Sequence, residues 1–258
     1  NLDNNTNKLN NPFSDIALLN YQWAYELINN FTQLGIIDAV ISPGSRSSPL
    51  ALACERNPKI KTWIQIDERS AGFFGLGLSQ IGLSQTGLPH KQQATLLICT
   101  SGSAMTHWFP AIVEAEHSYT PLLLLSADRP IEFKDCGANQ TIDQKYLFGS
   151  HVIDFINLKH VDNNLLEHDY LSKIAESAYH KTQYPKSGVV HINIPFREPL
   201  LPSPARIKEM TPLNDCKKNK LIVPSFTFTS KEITISKDNL AIIEQILSSG
   251  NGLIICGR

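Results

Sequence analysis

Charge is scarce and evenly split: 24 acidic against 23 basic side chains in 258 residues leave a net charge of −1. Such a balance gives no electrostatic footprint for nucleic acid or an anionic membrane surface. Long apolar runs are missing as well. Leu122–Leu125 is strand-sized, far short of the roughly 20 residues that span a bilayer, and no basic-then-apolar leader opens the chain. Cysteine is sparse. Cys54, Cys99, Cys136, Cys216 and Cys256 are odd in number, widely spaced and never in C-x-x-C. This argues against a disulfide scaffold and structural zinc, and makes a reducing cytoplasm the simplest compartment. The eight histidines show no H-E-x-x-H or other metal-ligand spacing. Neither a P-loop nor a G-x-S-x-G nucleophile elbow is present.

What is present is a normal apolar content, 42%. It excludes disorder as a description of the whole and allows one large or two ordinary domains. The first twelve residues hold six asparagines and read as a frayed tail. From Ser14 the apolar positions Ile16, Leu19, Trp23, Leu27, Phe31 and Leu34 recur at helical spacing, with Gly35 as C-cap. Short β-type runs then alternate with helical patterns. The expected strands are Ile36–Ile41, Lys61–Ile66, Thr95–Thr100, Leu122–Ser126, Val152–Leu158 and Gly188–Ile194. The expected helices between them are Pro49–Arg56, Arg69–Gln80, Ala104–Glu116 and Leu171–Gln183. This alternation means α/β: a parallel six-stranded sheet with helices on both faces.

After Pro195 a proline-punctuated polar stretch with Lys217, Lys218 and Lys220 reads as a linker. Asp238–Ser248 reads as a helix and Leu253–Cys256 as a strand. The expected organisation is a tail over 1–12, a first domain over 13–199, a linker over 200–230 and, over 231–258, the start of a second α/β domain, as in a fragment of a longer protein.

In open parallel sheets ligands bind at the carboxyl ends of the strands. Four such ends carry unusual residues. In Ser42-Pro43-Gly44-Ser45-Arg46-Ser47-Ser48, a Gly turn leads from strand to helix. Arg46 either offers a planar fork to an anion or lies on the surface while a serine caps the helix. In Asp67-Glu68-Arg69, Asp67 reads as an N-cap. Glu68 is either a first-turn dipole partner or a carboxylate sharing a proton with a ligand nitrogen. Thr100-Ser101-Gly102-Ser103-Ala104 is small enough for a flat ligand to approach the backbone, or is an ordinary tight connection. In Ser126-Ala127-Asp128-Arg129-Pro130, Arg129 either pairs with Asp128 or Asp135 or clamps a carboxylate. The loop after it carries Asn139 and Gln140. His117 and His191 read as satisfied structural histidines.

Taken in order, these four motifs, with Cys136-Gly137-Ala138-Asn139-Gln140 and the exit His191–Pro199, resemble the N-terminal part of the MenD family. These are the 2-succinyl-5-enolpyruvyl-6-hydroxy-3-cyclohexene-1-carboxylate synthases of menaquinone biosynthesis. The resemblance covers roughly residues 13 to 200. It implies the pyrimidine-binding domain of a thiamine-diphosphate transferase that decarboxylates 2-oxoglutarate and adds the succinyl carbanion to isochorismate. It implies that Glu68 bonds a ring nitrogen of the aminopyrimidine as the catalytic carboxylate. Ser101 and Ser103 would lie near the cofactor, and Ser45, Arg46, Arg129 and Gln140 would contact substrate. The family holds the diphosphate through Mg²⁺ or Mn²⁺ at a Gly-Asp-Gly motif, and no Gly-Asp pair occurs in this sequence. The expectation is therefore that the metal ligands lie outside it and that these residues alone are inactive. A cytoplasmic homodimer or dimer of dimers, with small-molecule substrates and no nucleic-acid or membrane partner, is also implied. The alternatives are another 2-oxo-acid decarboxylase or acetolactate-synthase-like enzyme, or a non-catalytic anion-binding module.

Overall fold

A computed structural model describes residues 12–81, 93–161, 168–203, 205–206, 236–248 and 250. All but the last residue of the expected tail, most of the expected linker and the expected strand Leu253–Cys256 lie outside these residues. The chain divides into two compact units, Asn1–Leu221 and Ile222–Arg258.

The first unit is built on strands β1 (Asp38–Ile41), β2 (Lys61–Ile64), β3 (Thr95–Cys99), β4 (Leu122–Asp128), β5 (Asp154–Asn157) and β6 (Val189–Pro195). They form one sheet in the order β2-β1-β3-β4-β6-β5, every pair parallel. Strands β3, β4 and β6 are buried at every position because both faces of the sheet are covered. Leu96, Ile98, Leu123 and Leu125 pack on one side, with helices α1 (Pro12–Gln33), α2 (Ser48–Glu55) and α5 (His168–Gln183). Leu97, Cys99, Leu122 and Leu124 point to the other, against α3 (Glu68–Ile81) and α4 (Phe109–His117). The six-stranded doubly covered α/β sheet expected from the sequence is the fold observed.

Differences in element length have local causes. β2 stops at Ile64, and Ile66 is exposed; β2 and β5 are edge strands with one neighbour each, so pairing gives out sooner there. The expected helix Ala104–Glu116 is two elements, a 3-10 turn over Gly102–Trp108 followed by α4. Pro110 lies in the first turn of α4, where its missing N–H removes no intrahelical bond. Asp67 accepts a bond from the Ser70 amide at 2.7 Å and so caps α3. In the second unit, α6 (Lys237–Ser248) matches the expected helix and is exposed along its length.

The two histidines depart from their reading. His117 is exposed. His191 is buried in the middle of β6; its Nε2 lies 2.7 Å from Ser126 Oγ, but its Nδ1 has no partner among the described residues. Burial between Phe148 and Phe155 pushes its imidazole down to about 3. The unfolded chain then binds a proton in the window from about pH 6.5 down to about 3 that the folded chain refuses. Stability should therefore fall as pH drops through that window, by at most about 1.4 kcal/mol per pH unit from this group. Unfolding curves of wild type and His191→Gln at stepped pH check this. His160, also pushed down by burial, remains in both proteins, so the flatter slope expected for the variant isolates His191. Equal slopes would remove His191 as the acid-sensitive group.

Candidate active site

The strand order reverses between β1 and β3. The chain leaves β1 for β2 on one side and returns to β3 on the other, so the helices that follow β1 and β3, α2 and α4, leave on opposite faces. Between them opens a cleft at the carboxyl ends of the strands, as the topology of such sheets requires. Its volume is about 600 Å³. Every strand end singled out from the sequence contributes to it: Ser45 and Arg46 after β1, Glu68 after β2, Ser101 and Ser103 after β3, Arg129 and Gln140 after β4.

The floor is made by close approach of two loops. The Ser42 amide donates to Ile98 O at 2.9 Å, drawing the β1 exit against β3. A Cβ on Gly44 would then sit 2.3 Å from Thr100 Cβ. Only glycine allows that contact. Gly102, at φ +84°, turns the β3 exit so that its amide donates to Gln144 Oε1 at 2.8 Å. The β3 and β4 loops are stitched together by Ser101 Oγ donating to Gln140 O at 3.2 Å and Gln140 Nε2 donating to Ser101 O at 3.0 Å. Ser101 and Gln140 thus hold each other while lining the cleft. Ser45 and Ser103 are exposed at its edge.

Arg46 is not a surface residue. It is buried, with Nη1 donating to Phe196 O at 2.9 Å and Nη2 to Glu198 Oε1 at 2.6 Å. Burial, then the nearby Arg129 guanidinium, push the Arg46 guanidinium below its usual range. Two guanidiniums converging in one cleft are a site for anionic groups. Arg129 does not pair through its side chain with Asp128 or Asp135. Asp128 accepts from the Arg129 backbone amide at 2.8 Å and is bridged by Lys134 at 3.0 Å. The Arg129 guanidinium makes no hydrogen bond among the described residues, and its Nε is buried without a partner.

Glu68 opens α3, half-buried, on the cleft wall. Asp67 does the capping, and nothing among the described residues bonds to the Glu68 carboxylate. Its charge is felt by the buried Cys99 thiol, which burial first and Glu68 second push up. An unengaged carboxylate beside small-residue loops fits the aminopyrimidine of thiamine diphosphate, a flat group with a ring nitrogen to protonate. No cluster of metal-ligating side chains occurs among the described residues.

His107, Glu198 and Gln144 were not anticipated as part of the site. His107 sits in the 3-10 turn and faces the cleft. Glu198 reaches Arg46 from 152 residues away, and no local spacing signals that contact. Gln144 is a buried polar residue in a loop without a motif.

Residues 24–147 match the model of the thiamine pyrophosphate enzyme N-terminal TPP binding domain; thiamine pyrophosphate and thiamine diphosphate are one compound. The 2-succinyl-5-enolpyruvyl-6-hydroxy-3-cyclohexene-1-carboxylate synthase of Dechloromonas aromatica is 40% identical over 95% of this chain and 42% of its own length. The synthase of that name from Bacillus velezensis is 38% identical over 90% of this chain and 37% of its own length. That of Chloroflexus aurantiacus is 42% identical over 72% of this chain and 30% of its own. The chain thus spans at most about two-fifths of the length of these relatives. By its doubly covered parallel sheet, its matched domain and these relatives, the chain belongs to the thiamine-diphosphate enzymes, in the branch of the 2-succinyl-5-enolpyruvyl-6-hydroxy-3-cyclohexene-1-carboxylate synthases.

Proposed function

We propose that the whole protein catalyses the reaction in its relatives' name: thiamine-diphosphate-dependent decarboxylation of 2-oxoglutarate and addition of the succinyl unit to isochorismate, in menaquinone biosynthesis. The observation that carries this is the meeting of one unengaged carboxylate, Glu68, with two converging guanidiniums, Arg46 and Arg129, in one cleft. Both substrates are carboxylates, and a site for them needs fixed cations. Thiamine diphosphate supplies the carbon nucleophile and the electron sink that decarboxylation of a 2-oxo acid requires.

The chain's own groups divide the remaining work. Glu68 shares a proton with the ring nitrogen and holds the pyrimidine in its protonated form. Ser101 and Ser103 line the place of the flat ring; Gly44 and Gly102 let backbone approach it. Arg46 and Arg129 orient carboxylates and offset their charge, with Gln140 and Ser45 completing the polar wall. Mg²⁺ or a similar divalent ion and its diphosphate ligand belong to residues elsewhere in the whole protein. We place that protein in the cytoplasm as a homodimer or dimer of dimers. The supports for compartment are an absence of pairable cysteine spacing and, among the described residues, of any helix long and apolar enough to cross a membrane. The domain bounds proposed for the chain are 13–199, a linker over 200–230 and a further α/β unit from 231.

Arg129→Ala in the full-length protein tests the substrate role. Its guanidinium holds no hydrogen bond among the described residues, so the folded state loses little. Loss of one charged hydrogen bond to substrate costs about 1.5–3 kcal/mol, or roughly 10- to 150-fold in kcat/KM. Steady-state kinetics for both substrates would show it. Unchanged kinetics would remove Arg129 from the site.

A further inference from the structure

Arg46 has two unlike arms. The Nη1 arm is bonded to the backbone carbonyl of Phe196 in the protein interior, at 2.9 Å. The Nη2 arm is bonded to the Glu198 carboxylate at 2.6 Å, and that carboxylate is 61% exposed while the Arg46 side chain is 4% exposed. Glu198 itself lines the cleft. A carboxylate already sits on one of the two cations that the proposed substrates need.

The backbone that carries Glu198 is held on both sides. Asn20, buried on α1, donates through Nδ2 to Arg197 O at 2.8 Å and to Pro199 O at 3.1 Å. The Arg197 side chain is itself tied to Glu132. Main chain at 197–199 is therefore fixed, whereas the Glu198 side chain lies mostly in solvent. Rotation about its side-chain bonds releases Nη2 without disturbing the fold or the Nη1 anchor, and the released carboxylate is rehydrated at once. Arg129, the second cation, has no such carboxylate partner among the described residues: its guanidinium lies 5.7 Å from the Phe133 ring centroid and its Nε is buried without a hydrogen bond.

We propose that Glu198 is an internal competitor at the anion site, exchanging with a substrate carboxylate for the Nη2 arm of Arg46. This rests on the reading of Arg46 and Arg129 as carboxylate-binding residues. Glu198 then sets specificity. A monoanion must repay the whole Arg46–Glu198 contact, while a dianion gains Arg46 and Arg129 together. The exchange also keeps the buried guanidinium paired at every stage, so Arg46 is never left as an uncompensated charge.

The test is titration of the chain with succinate, a plain dicarboxylate, followed by nuclear magnetic resonance at Gly44 and Gly102. Wild type, Glu198→Gln, Glu198→Asp and Arg46→Ala are compared. Glu198→Gln removes the competing charge and should tighten succinate by about three- to tenfold, the range for a charged pair with one member in solvent. Glu198→Asp, one methylene short of Nη2, should tighten it less. Arg46→Ala should abolish binding. Gain of affinity on losing a residue is not what a merely structural role produces. If Glu198→Gln binds as wild type or more weakly while Arg46→Ala abolishes binding, the competitor role is overturned and the anion site stands. If Arg46→Ala binds succinate as well as wild type, or neither wild type nor Glu198→Gln binds it, the anion site falls and the proposed substrate class falls with it.

Discussion

Glu68→Gln in the full-length protein should lower turnover by about 10²- to 10⁴-fold, the usual worth of a positioned proton-transfer group, while the melting temperature stays within error. Both halves follow from the structure. The amide matches the carboxylate in size and can still accept or donate a hydrogen bond, but it cannot exchange a proton with a ring nitrogen. The fold does not depend on it: Asp67, not Glu68, caps α3 through the Ser70 amide at 2.7 Å, and no hydrogen bond to the Glu68 carboxylate exists among the described residues. A surface or half-buried side chain without partners costs roughly 0.5 kcal/mol or less to replace. Steady-state kinetics and thermal unfolding of the same preparation decide the matter. Undiminished turnover would strip Glu68 of its role. A large drop in melting temperature would make it a structural residue.

The second large effect is on stability. Gln144 is fully buried and serves three strand exits at once. Its Oε1 accepts from the Gly102 amide at 2.8 Å, and its Nε2 donates to Ala127 O at 3.2 Å and to Asn193 Oδ1 at 2.7 Å. Asn193 continues the network, donating to Asp128 Oδ2 and Asn157 Oδ1, both at 2.8 Å. This carboxamide ties the β3 exit, which lines the cleft, to the ends of β4 and β6. Gln144→Ala strands the Gly102 amide and opens a small polar hole. With about 1–3 kcal/mol for each orphaned buried group, a loss of roughly 3 kcal/mol is expected. Chemical denaturation measures it. The Gly102 turn should also loosen, so hydrogen exchange at that amide should accelerate by more than the global loss alone explains. A loss under about 0.5 kcal/mol, as for an ordinary surface position, would show that water replaces the side chain without cost.

The sheet was legible because its central strands are buried on both faces, so the expected strands Thr95–Thr100 and Leu122–Ser126 are built on the apolar runs Leu96–Cys99 and Leu122–Leu125. The cleft was legible because strand ends carry their chemistry in short local strings: Gly44-Ser45-Arg46, Asp67-Glu68 and Ser101-Gly102-Ser103 each sit on one turn. Spacing in sequence hid the rest. Arg46 reads equally as a surface residue until Glu198 and Phe196 come to it from the far end of the domain. The 3-10 turn at Gly102–Trp108 runs directly into α4, so a helical reading from Ala104 to Glu116 does not separate the two. His191 reads as a satisfied structural histidine because the histidines lack metal-ligand spacing, which says nothing about the partners of its two ring nitrogens. Its Nδ1 instead has no partner among the described residues, which makes it an acid-sensitive point in the core.

The most direct test of the account is isochorismate consumption by the full-length gene product, with thiamine diphosphate, Mg²⁺ and 2-oxoglutarate. Loss of isochorismate that requires both the cofactor and 2-oxoglutarate is the predicted result. Decarboxylation of 2-oxoglutarate with isochorismate untouched would contradict the assigned reaction and leave only the cofactor class standing.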